Sequence, residues 1–176
     1  MQIFISIIIK ISIEYSWPTN RTLTWKLDYN HSVYDSSKIR EDIQQAFDDW
    51  ARYTELSFRE VTEGEKADFN LVFISDDHSD EVPFDGPRGQ ISHSFPLGSH
   101  SAGYIHFNSA EKWSHMYDGI GYNLRLVAAH EIGSSLGLPE SSDPDSIMYR
   151  FYRVIEPNEI LSKQVLENAQ VRFAKR

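Results

Sequence analysis

His130 and Glu131 stand side by side in the stretch LVAAHEIGSSLGLPESSDPDSIMY, residues 126–149. A His-Glu-x-x-His pattern on a helix places two imidazoles one turn apart on one face, where both reach a single zinc ion. The intervening Glu then lies beside the metal-bound water and takes its proton as general base. A third His beyond a glycine-permitted turn completes a three-ligand site with one open position. Here His130, Glu131, Gly137 and Met148 stand where that design needs them. The closing helical position is Ser134, and the position three residues past Gly137 is Glu140. A neutral hydroxyl is a poor zinc ligand, and a carboxylate differs from an imidazole in reach and geometry. The stretch therefore has the shape of a hydrolytic metal site with one good ligand and one possible one.

A second constellation lies upstream. His78, Asp80, His93 and His106 supply three imidazoles and a carboxylate. Four such ligands fill a tetrahedral zinc and leave no open position, the pattern of a structural site. A metal there orders a long polar loop that has no core of its own. On spacing alone, scattered surface histidines account for the pattern equally well. Nearby, Asp85-Gly86 and Glu111 offer hard oxygen ligands suited to calcium, although Asp-Gly is more often just a turn.

These residues need a scaffold, and the chain is long enough to make one. Its 176 residues suit a single domain with a full core, and hydrophobic content of 40% with charged content of 24% is that of a globular protein. Lys and Arg number 17 against 26 Asp and Glu, a net charge of −9 that argues against nucleic acid and anionic membrane surfaces as partners. There is no cysteine, so any zinc must be held by His, Asp or Glu.

Residues 1–16 form an apolar, Ile-rich segment, read as a strand or a degenerate export signal and too short to span a membrane. From residue 17 the pattern is that of one folded domain to residue 176. Arg21 to Tyr29 alternates Leu23, Trp25 and Leu27 inward as a half-buried strand. Ile39, Ile43, Phe47 and Trp50 recur at helical spacing behind the cap candidates Asp35, Ser36 and Ser37, predicting a helix over Lys38 to Tyr53. Leu56 to Val61 and Asp68 to Ser75 read as strands, and the continuous apolar run NLVFI predicts a central strand buried on both faces. Asp76 to Ser101 is a long polar loop in which Gln90 to Phe95 could pair. Gly103 to Phe107 reads as an edge or adjacent strand. Asn123 to Leu136 is predicted helical and ended by Gly137. Ser162 is expected to cap a last helix carrying Val165, Leu166, Ala169 and Phe173.

From Trp17 to the C-terminus the chain resembles the catalytic domain of the matrix metalloproteinases, the matrixins among the metzincins. ADFNLVFISDDHSDEVPFDGPRGQISHSF is similar to their structural-zinc and calcium loop, and HEIGSSLGLPESSDPDSIMY to their active-site helix and Met-turn. The resemblance implies an α+β fold, a twisted five-stranded mixed sheet with three helices, and a substrate cleft along an edge strand. It implies zinc, calcium, an extracellular location and cleavage of proteins. By position, structural zinc falls to His78, Asp80, His93 and His106, and calcium to Asp85, Gly86, Arg88, Gln90, Asn108 and Glu111. Asn108 stands where Asp is usual and Arg88 where Gly is usual. A second calcium would use Asp35 or Asp68, but Tyr104 replaces an acidic ligand, so that ion is expected to be weakened or lost. Catalytic zinc maps to His130, Ser134 and Glu140, with Glu131 as base and Met148 as floor.

The reading is a zinc metalloendopeptidase domain whose activity is lost or severely impaired in this copy, a pseudoprotease. The alternatives are an active endopeptidase with a non-standard His130/Glu140 zinc site and a non-catalytic module that binds through the retained cleft. The expected partners are protein or peptide segments, and the expected state is a monomer.

Overall fold

The sheet begins with β1, Leu23–Tyr29, in which Leu23 and Trp25 are fully buried. In the computed structural model, which describes residues 16–29, 35–62, 64–75, 82–161 and 163–173, β1 is followed by helix α1, Ser36–Tyr53. Asp35 caps that helix, its carboxylate accepting from the Ser37 N–H at 2.8 Å. The expected stripe of Ile39, Ile43, Phe47 and Trp50 is buried to the last atom. Phe47 stacks on Trp25 with ring centroids 5.3 Å apart, which is how α1 grips the sheet.

The remaining strands are β2, Phe58–Glu60; β3, Phe69–Ile74; β4, Ser92–Ser94; and β5, Tyr104–Asn108. Their spatial order is β2-β1-β3-β5-β4, with β4 alone antiparallel at the edge. A mixed five-stranded sheet with three helices is the α+β architecture anticipated. A further two-stranded parallel pair, β6 (Trp113–Ser114) with β7 (Tyr122–Asn123), was not foreseen. At two residues each, these strands carry no readable period.

The reading of NLVFI needs correction. β3 is central, but its burial alternates: Phe69, Leu71 and Phe73 are buried, whereas Asn70, Val72 and Ile74 are only partly covered. The buried residues join the core that packs under α1. Val72 lies beside His106 in register, and His106 faces His93, so the other face carries polar side chains.

Helix α2, Leu124–Ser135, runs through the core. Asn123 caps it by accepting from the Leu126 N–H at 3.0 Å. Gly137 ends it at φ +85°. There the Leu138 N–H reaches the Gly133 carbonyl at 3.0 Å and the Gly137 N–H reaches Ser134 at 2.8 Å. These two bonds satisfy orphan carbonyls through a left-handed residue that glycine adopts without a Cβ penalty. Arg125 and Asp49 form a two-pronged ion pair at 2.9 and 2.8 Å that ties α2 to α1. Helix α3, Lys163–Phe173, buries Val165, Ala169 and Phe173, while Leu166 is partly exposed.

Ser162 lies outside the described residues, as do residues 1–15 of the apolar N-terminal segment. Among the described residues, no helix is long and apolar enough to cross a membrane.

Asp68 shows how the β1–β3 seam is held. Arg21 donates both guanidinium arms to its carboxylate at 2.7 Å, and the Thr24 N–H and hydroxyl donate at 2.8 and 3.0 Å. The Arg21 bonds, foremost, hold the Asp68 carboxyl below the usual carboxylate range. A folded-state pKa below the unfolded value of about 3.9 means the contribution is complete above that pH and lost as pH falls through the lowered value. Asp68→Asn is therefore expected to lower the thermal midpoint at neutral pH, with the gap to the parent closing as acid is added. Because Arg21 is half exposed, its ion pair contributes at most about 1 kcal/mol.

Candidate active site

Helix α2 is buried over most of its surface; Arg125 faces α1, and the other partly exposed positions mark the cleft. Leu124 and residues 126–129, 131–133 and 135 are buried, whereas His130 and Ser134 are partly exposed one turn apart. Positions i and i+4 share a face, so the two sit on one stripe. Both line a cleft of about 650 Å³ together with Glu131, Glu140 and Tyr149. The opposite wall is β4 with the segment that leads into it, from Gly89 to Ser94. β4 pairs with β5 on one side and ends the sheet on the other.

His130 is oriented from below. Its Nδ1 lies 2.7 Å from the Ile147 carbonyl oxygen. A carbonyl only accepts, so Nδ1 carries the proton and Nε2 keeps the lone pair a metal would need. Outer partners of this kind fix the ring of a ligating imidazole. The turn that supplies Ile147 is itself tied down. Ser141 N–H donates to the Met148 carbonyl at 2.8 Å and Tyr149 N–H to Ser146 at 3.0 Å. Met148 is buried under the helix at Gly133, where a Cβ would lie 2.6 Å from its sulfur. Met148 thus packs beneath the helix that carries His130.

Glu131 is 6% exposed, and its Oε1 accepts from the Ser92 hydroxyl at 2.6 Å. Sequence reasoning missed this contact. Strand alternation carried a hint, since Ser92 and Ser94 must face opposite to His93. Ser94 Oγ is buried on the same wall without a hydrogen-bond partner among the described residues. Tyr152 also lines the cleft, its hydroxyl accepting from the Asn123 N–H at 2.9 Å, and burial raises its pKa.

Tested as a zinc site, the donor set does not fit three-imidazole ligation. Only His130 is an imidazole. Ser134 has a short neutral side chain, and Glu140 is exposed beyond the Gly137 turn. Among the described residues, no three His, Asp or Glu side chains gather as a metal-binding group.

Of the other candidate ligands, His93 and His106 are brought together, with His93 Nε2 3.0 Å from His106 Nδ1. That is hydrogen-bond distance; on one tetrahedral zinc, with each nitrogen at about 2.0–2.1 Å, the two would sit roughly 3.3 Å apart, so a shared ion would require the rings to separate slightly. His78 and Asp80 lie outside the described residues.

Asp85, Gly86, Arg88, Gln90, Asn108 and Glu111 do converge. Asp85 Oδ1 accepts from the Gln90 N–H at 2.9 Å, and Glu111 accepts from the Arg88 N–H. The Asn108 amide donates to Gly86 and Gln90 carbonyls. The residues proposed for a second calcium are otherwise engaged: Asp35 is the α1 cap, and Asp68 is paired with Arg21 and Thr24.

Residues 16–170 match the family model described as Matrixin. Human matrix metalloproteinase-20 is 39% identical over 144 residues, 82% of this chain and 29% of that protein. Human neutrophil collagenase is 40% identical over 130 residues, 74% of this chain and 27% of that protein. The macrophage metalloelastase of Rattus norvegicus is 42% identical over 142 residues, 78% of this chain and 29% of that protein. The chain thus spans less than a third of the length of these relatives.

Proposed function

Because the chain belongs to the matrixin family, we propose that it is a metalloendopeptidase-type domain in which peptide hydrolysis is lost or severely impaired, with the substrate cleft retained as a binding surface for extended protein segments. The observation that carries this reading is Ser134, on the cleft stripe one turn from His130. A side chain ending at Oγ supplies neither the reach nor the lone-pair nitrogen of an imidazole. Removing an outer partner of a metal ligand already costs about 10–100-fold. Two changes in the ligands themselves cost far more. The retained parts are those that shape the cleft: the His130–Ile147 contact, the Met148 turn and the β4 wall.

The proximity of His93 and His106 supports a structural zinc shared with His78 and Asp80. Two relatives are named as a collagenase and a metalloelastase. Extracellular proteins of that kind are the proposed ligands, and the space outside the cell the proposed location.

Metal analysis of the folded chain is expected to give about one zinc, not two. Cleavage of quenched peptides and gelatin is expected to stay at background, unchanged by Glu131→Ala. Two zinc per chain, with chelator-sensitive turnover abolished by Glu131→Ala, would overturn the proposal and favour a working His130/Glu140 site.

A further inference from the structure

Two backbone carbonyls in the 85–111 region point at one place. The oxygens of Gly86 and Gln90 lie 3.0 and 3.1 Å from Asn108 Nδ2. Oxygens that converge in this way repel one another unless something positive lies between them. A hard cation can do this, and so can a group with two N–H donors. An amide nitrogen has two, one for each carbonyl.

The orientation of that amide is set by its other end. Asn108 Oδ1 accepts from the Ala110 N–H at 3.0 Å. Turning the amide over would set oxygen against two carbonyl oxygens and NH₂ against an N–H, losing all three bonds. Asn108 is fully buried and held at both main-chain groups. Its N–H donates to Ile91 at 2.9 Å, and its carbonyl accepts from the Trp113 indole at 2.8 Å. The neighbouring carboxylates serve the same closure, Asp85 on the Gln90 N–H and Glu111 on the Arg88 N–H. The latter bond fastens Arg88 at φ 68°, a left-handed conformation that disfavours a residue with a Cβ.

We infer that the Asn108 amide occupies the place a calcium ion would take, so that this loop closes by its own hydrogen bonds and holds its shape without calcium. A calcium ion needs six to eight oxygens, and Asn108 turns its oxygen away from the centre and its nitrogen towards it. The consequence reaches the cleft, because Gly89 and Gln90 belong to its wall. This inference does not depend on whether the cleft hydrolyses peptides.

The test uses the whole chain in zinc-replete, calcium-depleted buffer. Added calcium is expected to leave the thermal midpoint unchanged, and terbium is expected to show no luminescence excited through Trp113. Asn108→Asp replaces the donor with an anionic oxygen. It is expected to create terbium luminescence that Glu111→Gln removes. It is also expected to gain a calcium-dependent midpoint rise of about 5–10 °C at calcium a hundred times the dissociation constant. Folding of that variant only when calcium is present would support the inference equally. A saturable calcium-dependent rise in the parent chain that Glu111→Gln abolishes would overturn it, as would a folded Asn108→Asp variant indifferent to calcium and terbium.

Discussion

Changing Ser134 and Glu140 together to histidine is expected to raise zinc from about one to two per chain and to create chelator-sensitive peptide cleavage where the parent shows none. The expectation rests on how much of the site is already built. His130 has its ring orientation and tautomer set by the Ile147 carbonyl. Glu131 is buried at the wall with its Oε1 held by Ser92. Gly137 makes the turn that presents residue 140, and Met148 packs beneath the helix. Two imidazoles are therefore the missing chemistry. Position 134 is partly exposed and position 140 exposed, so both side chains can enlarge without entering the core.

A zinc held by three imidazoles lowers the pKa of bound water to about 7 and supplies a hydroxide at neutral pH. In the repaired chain, Glu131→Ala is expected to reduce kcat by about 10²–10⁴, the contribution of a general base. Ser92→Ala tests whether the hydroxyl on Glu131 helps or competes with water there. Zinc stoichiometry by mass spectrometry and hydrolysis of a quenched peptide are the measurements. A double variant that folds with an unchanged circular dichroism spectrum yet binds one zinc would show that the cleft has departed from the family at more than these two positions.

How far the sequence announces this arrangement depends on the range of the interaction. Ile39, Ile43, Phe47 and Trp50 repeat along one helix, so their burial is written in local spacing. The Gly137 stop and the Met148 turn are legible for the same reason, as short motifs whose geometry is local. NLVFI is overread because a run of apolar residues does not say which neighbours will cover its second face. There, Val72 lies beside His106 and is only partly covered. Ser92 and Glu131 are 39 residues apart and meet only when β4 packs against α2. The amide of Asn108 is further from view still, since its meaning depends on which way a planar group turns. The family resemblance implies a calcium ligand at Asn108, and the hydrogen bonds turn its nitrogen towards the Gly86 and Gln90 carbonyls.

Trp50→Ala is expected to cost about 3–5 kcal/mol of stability, the range for removing a large buried aromatic, measured by urea unfolding. Trp50 joins α1 to α2, the helix that lines the cleft, in two ways. Its indole N–H donates to the Ala129 carbonyl at 2.9 Å, one residue before His130. Its ring lies against Gly133, where a Cβ would approach the ring to 2.6 Å on one side and the Met148 sulfur to 2.6 Å on the other. Gly133→Ala alone should therefore overpack this layer and cost about 1–3 kcal/mol. The two changes share the same space, so their effects should not add. In the Trp50→Ala background, the cavity accepts the new methyl group and the Gly133→Ala penalty should fall well below its value in the parent, a coupling of about 0.5–3 kcal/mol. Strict additivity would mean that Met148 rather than Trp50 limits the space at Gly133. The alanine would then press on the turn that positions Ile147, linking helix packing directly to the orientation of His130.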